Sequence, residues 1–312
     1  MRVMTTIGAK KGEFSGGSCV TIGNFDGVHR GHQMLLSQVM ERREEDCHGG
    51  LVTFDPHPVS VIAPEKAPHR LCTLERRLEL VEAAGLDFVL VIPFDKAFSQ
   101  TEPEDFIEQI LVEQLGIRHV VVGPDCRFGK ARRGDAALLE KESQQYGFTV
   151  SGVSPLMEEN IRVSSSAIRR AISTGEMAHA SRMLGRPHRL PGTVIRGDQR
   201  GREIGFPTAN LDLPERLLLP LDGVYAGQVT LPAQGTTHSA VVNVGIRPTI
   251  GGSKTSVEVH LLDYSGDLYG QELYLDVRER IRWEQRFESL AALGQQIALD
   301  VTRSREVLGE SS

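Results

Sequence analysis

The stretch Cys19-Val20-Thr21-Ile22-Gly23-Asn24-Phe25-Asp26-Gly27-Val28-His29-Arg30-Gly31-His32 decides how the first half of the chain is read. A short apolar run gives way to a glycine-rich turn, and the turn opens into a segment of helical period. A helix start exposes unpaired backbone amides and a partial positive charge, which suits phosphate oxygens. Gly23, Gly27 and Gly31 let backbone approach such a group closely. His29 and His32 are three apart, so on a first helical turn they share a face and can address one phosphate. Two histidines near a helix start can also be solvated surface groups. For an isolated pair that reading comes first; the strand–turn–helix setting reverses the preference.

Outward from this stretch, Val- and Ile-rich runs at 19–22, 51–54, 88–92, 119–122 and 148–153 alternate with helical patterns at 31–47, 74–84, 103–115 and 135–146. That alternation predicts a doubly wound α/β domain with a parallel sheet and crossover helices. From Pro187 onward the pattern changes to short strands at 192–196, 224–231, 239–244, 256–262 and 273–280, punctuated by Gly and Pro. So many short edges are most simply hidden by closure into a small antiparallel barrel. A helical pattern at 289–308 is expected to pack across it. The reading gives two domains, 1–186 and 187–312, with the boundary between 185 and 191.

A length of 312 residues suits two domains, and 40% hydrophobic with 24% charged residues is ordinary globular composition. The net charge of -6 argues against a nucleic-acid partner, whose phosphate attraction needs clustered excess Lys and Arg. It does not exclude a small anionic ligand, which needs only a few donors. Cys19, Cys47, Cys72 and Cys126 form no metal or redox spacing, so reduced thiols in a cytoplasmic protein are expected. No apolar run approaches the roughly 20 residues of a membrane helix, and residues 1–12 lack the apolar segment of a signal peptide. The sequence carries no signal for an oligomeric state.

Three further stretches of the first half bear on chemistry. Ser164, Ser165 and Ser166, with Arg169, stand at a helix start, where serines cap the helix and can also hold phosphate oxygens. The segments 53–58, containing His57 and Pro58, and 123–129, containing Asp125, Arg127 and Phe128, end predicted strands. Loops at the carboxyl ends of strands are where open α/β sheets bind ligands. Taken singly, His57 reads as a rigid turn residue and Phe128 as a core plug.

In the second half, Gly205-Phe206-Pro207-Thr208-Ala209-Asn210 is the most specific signal. Thr208 and Asn210 are two apart, so on an extended strand they offer two neutral oxygens to one hard cation. Before it, Gly197, Arg200, Gly201, Arg202 and Gly205 belong to a charged loop able to wrap phosphates, or to a polar hairpin turn.

Together these motifs resemble the bacterial bifunctional riboflavin kinase/FMN adenylyltransferase family, in order, from about residue 20 to 300. The resemblance implies that the first domain transfers AMP from ATP to FMN, giving FAD and pyrophosphate. Gly23, Asn24, Phe25, Asp26, Gly27, His29, Gly31, His32, Ser164, Ser165, Ser166 and Arg169 would hold ATP there. His57, Pro58, Asp125, Arg127 and Phe128 would hold the flavin; Cys126 stands where the family usually has Phe. It further implies a barrel that phosphorylates riboflavin to FMN, with Mg²⁺ on Thr208 and Asn210, ATP along the 197–205 loop and Glu258 as general base. Segments 220–226, 243–249 and 257–269 are also similar to the kinase pattern, as are Arg278, Arg282 and Phe287.

Two competing readings remain. One is a nucleotidyltransferase for another phosphorylated substrate with an inactive barrel, against which stand Thr208, Asn210 and Glu258. The other is a flavin sensor without turnover, which would have no use for His29, His32 and Arg169.

Overall fold

The computed structural model describes residues 1–5, 14, 16–197, 201, 205–249 and 252–310, with backbone alone for 246–249 and 252–254. The chain divides into two compact units.

The first unit comprises Met1–His69 and Thr73–Ser164. Its strands are β1 (Arg2–Met4), β2 (Ser18–Ile22), β3 (His48–Asp55), β4 (Phe88–Pro93), β5 (Ile117–Val122) and β6 (Thr149–Gly152). They form one parallel sheet in the order β1-β4-β3-β2-β5-β6. Val120, Val121 and Val122 are all buried, as are Val89, Leu90, Val91 and Ile92. Burial of successive residues is what a sheet covered on both faces requires, and it explains apolar runs without alternation. At Gly50 a Cβ would lie 2.2 Å from the Phe88 ring, so close strand packing needs glycine there.

The helices are α1 (Arg30–Arg42), α2 (Pro58–Ile62), α3 (Leu74–Ala83), α4 (103–114, π-wound over Phe106–Gln114) and α5 (Ala136–Tyr146). A two-residue-per-strand hairpin follows, β7 (Met157–Glu158) with β8 (Ile161–Arg162). The order of strands reverses at β2, which has β3 on one side and β5 on the other. The carboxyl ends of β2 and β5 therefore open on the crevice where such sheets take ligands.

The second unit comprises Arg70–Cys72 and Ser165–Ser312. This division by contacts groups the stretch from Ser165 to the 185–191 boundary with the second unit. Two helices, α6 (Ser165–Ser173) and α7 (Met177–Leu184), pack on each other, and α7 packs against β9 (His188–Ile195) and β14 (Glu272–Arg282). Met177, Ala180, Met183 and Leu184 are buried. Their single apolar stripe told that they pack, not against which domain.

The barrel is closed by six strands, where five were expected. To β9 and β14 are added β10 (Ala209–Asp212), β11 (Gly223–Leu231), β12 (Thr236–Thr249) and β13 (Gly252–Leu261), in the order β10-β13-β12-β11-β14-β9. Every pairing is antiparallel. The added strand, β10, is four residues long and carries the Thr-x-Asn motif's end. Helix α8 (Leu290–Leu308) is capped by Ser289 and lies on the barrel's outside. Arg282 donates to Asp300 at 2.8–3.1 Å, and Val301 joins the cluster of Val224, Val241 and Leu262.

Candidate active sites

The 23–32 loop leaves β2 and turns into α1 through three positive-φ residues, Phe25, Gly27 and Val28. At φ 49° and 36° the non-glycine pair is strained, and both side chains are buried in the core that holds them so. His29 is the N-cap of α1: its Nδ1 accepts the backbone N–H of His32 at 3.2 Å. With Nδ1 an acceptor, a neutral ring carries its proton on Nε2. The rings of His29 and His32 stack at 3.6 Å, and Phe25 stacks on His32 at 4.4 Å. The spacing of three therefore does bring the histidines together, at a helix start with no acidic residue in its first turn. Gly31 lies against this stack, where a Cβ would be 3.2 Å from the His29 ring.

After β3, His57 caps α2, its Nδ1 accepting the Val59 N–H at 3.2 Å. Its Nε2 faces the Asn24 side-chain amide at 3.3 Å, which joins the His57–Pro58 turn to the 23–32 loop. After β5, Asp125 is paired with Arg162 of β8, and Arg127 donates to the Cys126 carbonyl. Phe128 is 4% exposed and packs on Phe106 at 5.3 Å. Its ring belongs to the core, as the plug alternative held. Cys126 is buried as well, and burial pushes its thiol up to about 11.

Ser164 ends the first unit, whereas Ser165, Ser166 and Arg169 belong to α6 of the second. The expected phosphate-holding set is therefore divided between the units.

On the barrel, Asn210 of β10 and Asn243 of β12 both stand directly opposite Glu258 of β13. Opposite residues of an antiparallel pair share a face. Ala209, Leu211, Val242, Val244, Val257 and Val259 alternate with these three and are buried, so they fill the interior. Asn210, Asn243 and Glu258 form a polar row on the outside. Thr208 Oγ1 lies 3.5 Å from Glu258 Oε2, so Thr208 and Asn210 both border Glu258. A Cβ at Gly197 would meet Asn210 Nδ2 at 2.1 Å, which sets that loop directly over the row. At Gly201 a Cβ would lie 2.3 Å from the Phe206 carbonyl oxygen, and Gly205 turns the chain at φ 86°. Arg200 and Arg202 lie outside the described residues. Two neutral oxygens beside one carboxylate make a hard, oxygen-only donor set, which fits Mg²⁺ and not a soft metal. Among the described residues no cluster of three His, Cys, Asp or Glu could hold a metal.

The sequence reading passed over the β7–β8 hairpin. Glu158 receives Arg30 at 2.6 Å and Arg162 binds Asp125, so the hairpin bridges the loops that follow β2 and β5. Strands of two residues carry no periodicity; the only available signal was opposite charges near the motifs.

Comparison with known proteins matches two family models in succession along the chain. A family model described as FAD synthetase matches residues 11–167, and one described as riboflavin kinase matches residues 184–308. The chain belongs to the bifunctional riboflavin kinase/FMN adenylyltransferase family. The bifunctional riboflavin kinase/FMN adenylyltransferase of Escherichia coli (strain K12) is 42% identical over 294 residues, 94% of this chain and 93% of its own length. That of Pseudomonas fluorescens is 40% identical over 298 residues, 95% of this chain and 94% of its own. A solved structure titled as a macrolide-efflux protein from Streptococcus pneumoniae matches with a TM-score of 0.88 and 28% identity, covering 98% of this chain and 99% of that one. Among the described residues of this chain, no helix is long and apolar enough to cross a membrane.

Proposed function

We propose that this chain phosphorylates riboflavin to FMN on its barrel and adenylylates FMN to FAD in its first unit, with ATP as donor in both steps. The observation that carries the reading is that each unit has its own polar constellation: the stacked His29–His32 pair at a helix start, and the Thr208–Asn210–Glu258 row.

In the first reaction the flavin's terminal ribityl hydroxyl attacks the γ-phosphate of ATP, and ADP leaves as the bond to the bridging oxygen breaks. Glu258 accepts the hydroxyl proton. Thr208 and Asn210 hold Mg²⁺, which when bound neutralises charge on the transferring phosphates. Gly197, Gly201 and Gly205, with Arg200 and Arg202, wrap the nucleotide. In the second reaction a phosphate oxygen of FMN attacks the α-phosphate of ATP, and pyrophosphate leaves. His29 and His32 stabilise the charge that builds on the α-phosphate. Ser164, Ser165, Ser166 and Arg169 hold the β- and γ-phosphates, and His57, Pro58, Asp125, Arg127 and Phe128 form the flavin side. Phe128 acts there by shaping the loop from within the core. The proposed setting is the cytoplasm, where Cys19, Cys47, Cys72 and Cys126, all buried, would stay as thiols.

The test is incubation with riboflavin, ATP and Mg²⁺, followed by chromatography. Both FMN and FAD are expected, with neither formed when EDTA replaces Mg²⁺. FAD from supplied FMN but no FMN from riboflavin would mark the barrel as inactive. Neither product under any condition would leave a binding protein.

A further inference from the structure

Helix α3 carries an arginine, Arg77, on its apolar stripe: Leu74, Leu78 and Val81 stand three before, one after and four after it. Arg77 is 2% exposed. Its Nη1 donates to the Phe54 carbonyl at 3.1 Å and to Thr53 Oγ1 at 3.3 Å. Thr53 Oγ1 passes the contact on, donating to the Asn24 carbonyl at 3.2 Å. The Asn24 side chain in turn meets His57 at 3.3 Å. One buried guanidinium thus underlies both the 23–32 loop and the turn that begins at Asp55.

Among the described residues its charge meets no carboxylate. The partners it has among the described residues are neutral oxygens, and its Nε has no hydrogen-bond partner there. Buried charges are ordinarily paired, because desolvation is costly and leaves a strong field in the surrounding low dielectric. A cation buried beneath two ligand loops is compensated when an anion arrives above them.

We propose that Arg77 is a positioning residue of the adenylyl-transfer site, fixing the two loops through Thr53 and Phe54 and lending them positive potential for a nucleoside triphosphate. This rests on the adenylyl-transfer reading above. The residue acts through Thr53 and Asn24, so its loss should change nucleotide affinity as well as turnover.

The test compares the full chain with Arg77→Met, which keeps the bulk, and Arg77→Lys, which keeps the charge and a donor. FAD formation from FMN is followed against ATP concentration, with riboflavin phosphorylation by the other unit as the control for folding. A unit charge ~10 Å from the phosphates, at an effective dielectric of ~20, corresponds to roughly a tenfold change in affinity. Arg77→Met should therefore raise the KM for ATP about tenfold and lower kcat, while Arg77→Lys restores the KM to within a few-fold. An unchanged KM in Arg77→Met overturns the proposal, since a packing role would lower kcat alone. Equal KM defects in Met and Lys variants overturn it too, because charge would then be irrelevant. Should Arg77→Met fail to fold, Thr53→Val cuts the relay with little change of shape; FAD synthesis at the parental rate in that variant would also refute the role. A parent that makes FMN but no FAD instead removes the adenylyl-transfer reading on which all this depends.

Discussion

The 23–32 loop and the row Asn210–Glu258–Asn243 are built by opposite means. In the first unit the histidine pair sits in one continuous stretch, where a strained turn delivers the two stacked rings to a helix start. On the barrel it is dispersed over three strands and assembled by register, with Glu258 opposite both asparagines. The two sites are fragile in different places. A loop site depends on the backbone conformation and its supports, such as Arg77 and Thr53. A register site depends on strand pairing and on what lies over the outer face.

The largest expected effect is on the barrel. Glu258→Gln keeps the size of the side chain but removes the carboxylate proposed to accept the proton, and positioned general bases contribute typically ~10²–10⁴ in rate. FMN formation should fall within that range, measured by initial rates at saturating riboflavin and ATP, while conversion of supplied FMN to FAD stays near parental. A kinase loss of only a few-fold would make Glu258 a strand residue facing solvent.

A smaller effect is expected where the overlying loop meets the row. At Gly197 a Cβ would collide with Asn210 Nδ2 at 2.1 Å, so Gly197→Ala must displace one of them. Displacing a ligand by ~1 Å can cost on the order of 10² in rate. Because the collision is with a side-chain end, about tenfold is expected, together with a higher Mg²⁺ requirement. A magnesium titration of riboflavin phosphorylation checks it; an unchanged half-saturation point would contradict the proposal that Asn210 is a metal ligand.

The smallest effect concerns alkaline stability and separates the units without chemistry. Burial pushes Cys126 from 9.0 up to about 11 and Cys19 from 9.0 up to about 12 in the first unit; in the barrel it pushes Tyr225 from 10.0 up to about 12. Each fold favours the protonated form, so this contribution is complete below the unfolded pKa and is lost as pH rises through the window to the folded one. The first unit should begin to lose stability above pH 9 and the barrel above pH 10, by at most ~1.4 kcal/mol per pH unit for each group. Hydrogen exchange resolved by unit would show it. Simultaneous onset would mean that other groups dominate.

The same contrast governs what could be read from sequence. The buried strands of the parallel sheet were legible because successive apolar residues leave no other place for them. The stacked histidines were legible because three-residue spacing at a helix start has one geometric outcome. β1 was not, being three residues with Val3 exposed at the sheet edge. Nor was the grouping of α6 and α7 with the barrel, since an amphipathic stripe does not name its partner. Thr208 and Asn210 could be paired by spacing, but the neighbouring Asn243 comes from a strand more than 30 residues away, and only register brings it in. Arg77 had a signal: a charged residue on the apolar stripe of a helix.

As proposed, two separate sites, one relying on His29 and the other on Glu258, complete the route from riboflavin to FAD. Mixing His29→Ala protein with Glu258→Gln protein and supplying riboflavin, ATP and Mg²⁺ puts this to the test. Loss of one preorganised donor to a charged transition state costs on the order of 10²–10³ in rate, so neither variant alone should accumulate FAD. The first should stop at FMN and the second should leave riboflavin unchanged. The mixture should form FAD at a rate approaching that of the parent, because FMN released by the first variant is taken up by the second. A mixture that accumulates FMN without FAD, or leaves riboflavin unconverted, would contradict the claim.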